Sequence, residues 1–213
     1  MKNGNGTVKI QTWFWLVIFS FFFILMLNIT LHYIPFDATA SFLQIKQTEV
    51  TTISGYLPIF YIHVYSAIFA LLAGFTQFNS RILKKYPKTH RAIGQIYVYT
   101  VLFLAAPSGI YIGYYANGGL LAKISFMLLG TLWYTFTVIG LISAKKRFIL
   151  RHKNFMLRSF ALAFSAITLR LWKVILVFAF HPNPMEVYKI IAWLGWVPNI
   201  ILIEWYIYKK QKK

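Results

Sequence analysis

Residues 57–78 read LPIFYIHVYSAIFALLAGFTQF, and residues 79–91 follow as NSRILKKYPKTHR. The first stretch holds no Asp, Glu, Lys or Arg. As a helix rising about 1.5 Å per residue it covers a hydrocarbon core about 30 Å thick. The second stretch places Arg81, Lys84, Lys85, Lys88 and Arg91 ahead of the next apolar run. Lysine and arginine gather in the short cytoplasmic loops of membrane proteins. An apolar run of this length closed by a basic turn therefore predicts a transmembrane helix and the side on which it ends.

The same pattern recurs along the chain. Apolar runs at 12–34, 92–116, 124–143, 155–180 and 189–208 bring the expected number of spans to about six. Lys2 and Lys9 precede the first run. Lys145, Lys146, Arg147, Arg151 and Lys153 fall between the fourth and fifth, and Lys209, Lys210, Lys212 and Lys213 follow the last. The alternate connections hold only Asp37, Lys46, Glu49, Lys123, Glu186 and Lys189. Every other connection is basic, which an even number of spans with both termini in the cytoplasm requires. The predicted fold is an all-α polytopic membrane bundle, with residues 1–213 forming one integral domain of the inner (plasma) membrane. The run at 12–34, followed by Ala38-Thr39-Ala40, imitates a secretory signal, but it exceeds the roughly 7–15 apolar residues of such signals and reads as a retained helix. The threonine- and serine-rich stretch 35–55 reads as an outer loop that either caps the outer face or, the preferred reading, is a solvated connection.

Composition agrees. Hydrophobic residues make up 59% of the 213 and charged residues 12%, whereas a soluble domain carries about 25% charged residues. A net charge of +18 would suit nucleic acid, yet the basic residues sit at span ends, where they set topology, so no nucleic-acid partner is expected. Cysteine is absent, which excludes disulfides, zinc–thiolate sites and cysteine-held iron–sulfur clusters. The chain has no Gly-x-Ser-x-Gly elbow, no His-Glu-x-x-His and no glycine-rich phosphate loop. No two carboxylates share a membrane depth, so acid–base hydrolysis is not expected.

Ionisable groups inside the bilayer are costly and mark candidate sites. Arg170 lies roughly 21 Å into the fifth span from its basic end, and His63 about 9 Å into the second span from the opposite end, which puts them near one depth. At the basic end His90 and His152 open the third and fifth spans at a similar level. Arg158 and Glu204 lie about one turn deeper, and Glu204 is the only carboxylate within a span. At about 100° per residue, His63, Ala67, Ala70, Gly74, Gln77 and Arg81 share a stripe of the second span. His90, Gly94, Tyr97, Val101 and Ser108 share one on the third, and His152, Ser159, Ala163, Ala166 and Arg170 one on the fifth. Lanes of small residues allow close helix contact and leave room for a flat ligand. The interior holds Arg158, Arg170 and Lys173 against one acid. This balance suits an anionic lipid or a small anionic ligand at His63, Gln77, Arg81, Arg158, Arg170 and Glu204, in an accessory subunit or a transporter.

Several blocks resemble a family of bacterial predicted membrane proteins catalogued as domain of unknown function 2306. They are His63-Val64-Tyr65, Ala73-Gly74-Phe75-Thr76-Gln77-Phe78 with Arg81, and His90-Arg91-Ala92-Ile93-Gly94-Gln95-Ile96-Tyr97. Arg151-His152-Lys153-Asn154-Phe155-Met156-Leu157-Arg158-Ser159, Thr168-Leu169-Arg170-Leu171-Trp172 and Glu204 complete the set. The resemblance covers about 57–206, leaves 12–34 and 35–55 outside, and implies a multi-span fold without an assigned activity. A second likeness is to di-haem b-type cytochromes, which hold haem between histidines on facing helices. His90 and His152 stand at suitable levels for one haem b, or the protein binds a quinone. The fourth span has no histidine, so the four-ligand arrangement of that family cannot be completed. An outer site pairing His63 with His32 or His181 is the other haem arrangement open to the sequence.

Overall fold

The computed structural model describes residues 4–78 and 80–212, and of residues 4–12, 14–16, 18–19, 80–82 and 184 the backbone alone. The described residues form helices joined by short turns, with no strand among them. Helix α1 runs Gly4–Leu31, and a 3₁₀ turn over Ser41–Lys46 leads into α2, Gln47–Thr52. Helix α3 is Tyr56–Gln77 and α4 the short Ser80–Lys85. Next, α5 (Pro87–Thr100), a π turn (Val101–Ala105) and α6 (Ala106–Tyr114) continue as one rod. Helix α7 is Gly119–Lys145. Two further rods join α8 (Ile149–Ala163) to α9 (Ser165–Phe180), and α10 (Pro184–Leu194) to α11 (Val197–Gln211).

Five rods are long and apolar enough to cross a membrane: Tyr56–Gln77, Pro87–Tyr114, Gly119–Lys145, Ile149–Phe180 and Met185–Gln211. They overlap the last five predicted runs, and most extend beyond them at one end or both. The first predicted run overlaps α1 but reaches three residues past its end at Leu31, and Ser20–Leu31 is a shorter apolar helix. Proline sits in the first turn of α5, α10 and α11, where its missing N–H costs no hydrogen bond. Pro107 differs, because the helix runs into it without the turn that Gly195-Trp196 make ahead of Pro198, and it can give no N–H to the turn before it. The chain widens to the π turn directly ahead of that proline.

The surface is inverted relative to a soluble protein. Phe178 is 83% exposed, Phe103 71%, Ile201 62% and Leu202 63%, all within spans. The core is built from small and hydroxyl-bearing residues: Ala70, Ala105, Ala106, Ser125, Thr137 and Ser159 are fully buried. Lipid tails are as apolar as leucine, so helices in a bilayer gain by close packing and shared hydrogen bonds rather than by hiding oil from water. Tyr97 Oη meets Ser159 Oγ at 2.7 Å and accepts from Trp133 Nε1 at 3.2 Å, while Thr137 Oγ1 meets Ser159 Oγ at 2.7 Å. This ties α5, α7 and α8 together. Trp196 Nε1 donates to Ser125 Oγ, which donates to the Ala192 carbonyl, joining α7 to α10 and the start of the last helix.

The stretch 35–55 is not a solvated loop. Leu43 and Lys46 in it are buried, and Tyr33, Tyr56, Phe60 and Tyr61 close an aromatic core beneath it. Lys46 is 1% exposed and gives its three N–H groups to Glu49 Oε1 (2.6 Å), Asn117 Oδ1 (2.5 Å) and the Tyr115 carbonyl. An ammonium with all its donors used is satisfied without water, so the segment is latched onto the α6–α7 turn as a cap.

Candidate functional site

The predicted residues fall into three groups. The first lies near the basic ends of α3, α5 and α8. The His152 ring Nδ1 donates to the Gly140 carbonyl at 2.9 Å. A carbonyl only accepts, so the proton is on Nδ1 and the Nε2 lone pair is free. His90 Nδ1 is buried with no partner, and His90 lies within electrostatic reach of His152. Buried ring nitrogens are normally bonded, so an orphan one marks a place where a partner belongs. Further along the same helices is a shallow cleft of about 10 Å³, lined by Gly74, Gln77, Phe78, Tyr97, Met156 and Phe160. A Cβ on Gly74 would run into the Phe160 ring, so the bare backbone there is what lets α3 approach α8. Gln77 lies against Gly94, where a Cβ would come 2.9 Å from its Oε1. Arg81 is on α4, and its side chain lies outside the described residues.

The second group is at the far end of the bundle. His63 Nδ1 donates to the Ala105 carbonyl at 2.9 Å, at the end of the π turn, with Ser108 Oγ 3.4 Å away. The His63 Nε2 is thereby left with its lone pair. Arg170 gives one N–H to the Ala166 carbonyl of its own helix at 2.6 Å and interacts electrostatically with both His63 and Tyr33. The structure thus brings His63 and Arg170 together, as their depths predicted. His32 instead turns to the Asn28 carbonyl of its own helix at 2.7 Å, and His181 is exposed.

The third group is a pair that needs nothing else. Arg158 clasps Glu204 with two parallel bonds, Nε to Oε1 and Nη2 to Oε2 (2.8 Å), with its guanidinium 4.9 Å from the centre of the Phe155 ring. Arg158 is six residues after His152, about 120° around the helix, so it faces α11 while His152 faces α7. The expected grouping of Arg158 and Glu204 with the two histidines separates into a clasp and a histidine site. Sequence reasoning missed Trp133, Thr137 and Asn199. The amide of Asn199 donates to Thr168 Oγ1 at 2.9 Å and to the Ala161 carbonyl at 3.2 Å. Trp133, Thr137 and Gly140 stand at helical spacing on α7, which is the signal that could have found the first two.

No group of three or more His, Cys, Asp or Glu side chains able to hold a metal occurs among the described residues. All-helical, with five rods of this length and an apolar surface turned outward, the chain is a polytopic membrane protein. It belongs to the family of predicted membrane proteins designated DUF2306, which matches residues 60–207. No curated protein and no solved structure matches it.

Proposed function

We propose that this protein is a six-span inner-membrane carrier of a small anionic redox ligand, a b-type haem held between His90 and His152. Its basic end, with both termini, faces the cytoplasm. The observation that carries the reading is the buried, partnerless Nδ1 of His90 at the level of His152, whose own ring is oriented by the Gly140 carbonyl. Metal-bound histidines characteristically donate their second ring nitrogen to such a carbonyl, which fixes the tautomer and aims the ligating nitrogen. The basic residues Arg91 and Arg151 next to the histidines suit the two propionates. The cleft, at about 10 Å³, is far below the roughly 300–1,000 Å³ of pre-formed ligand pockets, so entry of a macrocycle requires α3, α5 and α8 to part and the Phe78 and Phe160 rings to turn away. Bound haem would supply one-electron chemistry; His90 and His152 would hold it through their ring nitrogens, and the surrounding apolar side chains would exclude water.

The test is an optical spectrum of protein expressed with added haem precursor. Wild type should show a Soret band and a sharp reduced α band, and His90→Ala and His152→Ala should each lose or broaden them. A colourless wild type refutes the proposal. Orientation is tested separately. The chain has no cysteine, so Thr48→Cys and Lys146→Cys can be labelled singly in intact cells. An impermeant maleimide should reach Thr48→Cys alone, and labelling of Lys146→Cys instead would reverse the topology.

A further inference from the structure

The chain has four carboxylates, and each is engaged away from Arg170. Asp37 accepts from Thr39, Glu49 from Lys46, Glu186 from Lys189 and Glu204 from Arg158. Arg170 is the ionised group of the spans that this leaves without a counter-charge in the bundle interior. A guanidinium has five N–H donors, and the only hydrogen bond that Arg170 makes among the described residues is with the Ala166 carbonyl. It stays charged at any accessible pH, so it cannot escape the cost of burial by losing a proton.

Its surroundings are specific. Met26 of α1, Ile68 of α3 and Ile167 of α9 form a closed apolar seam, and Arg170 lies one turn beyond Ile167 towards the far end. There it lies within electrostatic reach of Tyr33, which follows α1, and of His63 of α3. Tyr33 is held in place, since its hydroxyl accepts from the Phe42 N–H and its carbonyl accepts from the Tyr65 hydroxyl at 2.7 Å. The lipid side of this corner carries exposed Ile34, Phe36 and Val174. It is a fixed cation in an apolar frame on the far-end side of that seam.

We propose that Arg170, framed by Tyr33 and His63, is an oxyanion-binding site that takes a phosphate or carboxylate group at the α1–α3–α9 corner. The forked guanidinium matches such a group with two parallel hydrogen bonds, and the apolar frame strengthens them. The group belongs either to the headgroup of an anionic lipid or to a free small anion. This site is independent of the histidine site at the basic end and stands or falls without it.

The experiment uses the full chain, delipidated in a neutral detergent, and reads the thermal unfolding midpoint against added phosphatidylglycerol or added inorganic phosphate. Phosphatidylglycerol should raise the wild-type midpoint, and Arg170→Leu should need roughly tenfold or more lipid for the same rise, from loss of charge-assisted bonds. Arg170→Lys should fall between, because an ammonium does not fork. A response to lipid alone identifies a headgroup site, and a response to both probes identifies a site for the oxyanion itself. A wild type that responds to neither overturns the proposal, as does an Arg170→Leu protein that matches it. Should Arg170→Leu fail to fold, Arg170→Lys decides: a response equal to wild type overturns the site.

Discussion

Replacing Lys46 by methionine tests whether the segment 35–55 is a latched cap. Lys46 is 1% exposed, its three donors reach Glu49, Asn117 and the Tyr115 carbonyl, and methionine keeps the apolar stem without the charge. The substitution leaves three acceptors, one of them a carboxylate, without their donor. Breaking a fully buried ion pair costs about 3–5 kcal/mol. Because Glu49 is 22% exposed, water reaches it in part, which places the expected loss near the lower bound, about 3 kcal/mol. Removing both charges in Lys46→Met with Glu49→Gln should recover about 1 kcal/mol of that, since no bare carboxylate remains. Chemical unfolding in detergent measures the loss, and hydrogen exchange across residues 41–55 locates it. The pair also sets a pH dependence. Burial acts to raise the Glu49 pKa, but the hydrogen bond and charge of Lys46 outweigh it and hold the carboxyl below the usual glutamate range. A depressed carboxylate pKa adds stability above its unfolded value, and that stability is lost as pH falls through the folded value. Wild type should therefore lose cap protection in acid below the usual glutamate range, and Lys46→Met should show no such step. Wild-type stability and a wild-type acid profile in Lys46→Met would refute the latch.

Other expectations concern the helix contacts and the cap. Tyr97→Phe strips the hydroxyl that joins Ser159 to Trp133 and should cost about 1–3 kcal/mol, read by thermal unfolding, because two buried polar groups lose a partner. Gly74→Leu forces the Phe160 ring out of the cleft and should destabilise by about 1–3 kcal/mol while abolishing any haem spectrum. Glu204→Gln breaks a clasp whose carboxylate is 46% exposed, so its cost should stay near 1 kcal/mol and leave the spectrum of the basic-end site unchanged. Asp37 lies outside the spans, and the Thr39 N–H and hydroxyl hold its carboxyl below the ordinary range, so Asp37→Ala should loosen exchange protection at Thr39 without moving the bundle.

The positions of the five long spans were legible in the sequence, to within a few residues at their ends, because a bilayer reads only length and apolarity along one dimension; the expected sixth, at 12–34, corresponds to a shorter apolar helix. The helical stripes were legible for the same local reason. His63, Ala70 and Gly74 share a face of α3, and Tyr97 and Ser159 lie on facing stripes of α5 and α8 that do meet. The pairing of Arg158 with Glu204 followed from charge and depth alone. What failed was the 35–55 segment. Its threonines and serines have the composition of a solvated loop, and nothing local shows that Lys46 reaches Tyr115 and Asn117 across about 70 residues of chain.

From the amino-acid order alone came the membrane class, the alternation of basic and neutral turns, the family, and the two depths at which ionisable side chains gather. Those properties depend on composition along a helix axis. Azimuth and neighbour are properties of the assembled bundle, and only tertiary structure decided them. It turned His152 to Gly140 and left His90 Nδ1 bare, it set Arg170 beside His63 with no carboxylate at hand, and it joined Trp133 and Thr137 to the Tyr97–Ser159 bridge. A hydrogen bond is fixed by angles and distances of a few tenths of an ångström between separate helices, and that information exists only once they pack.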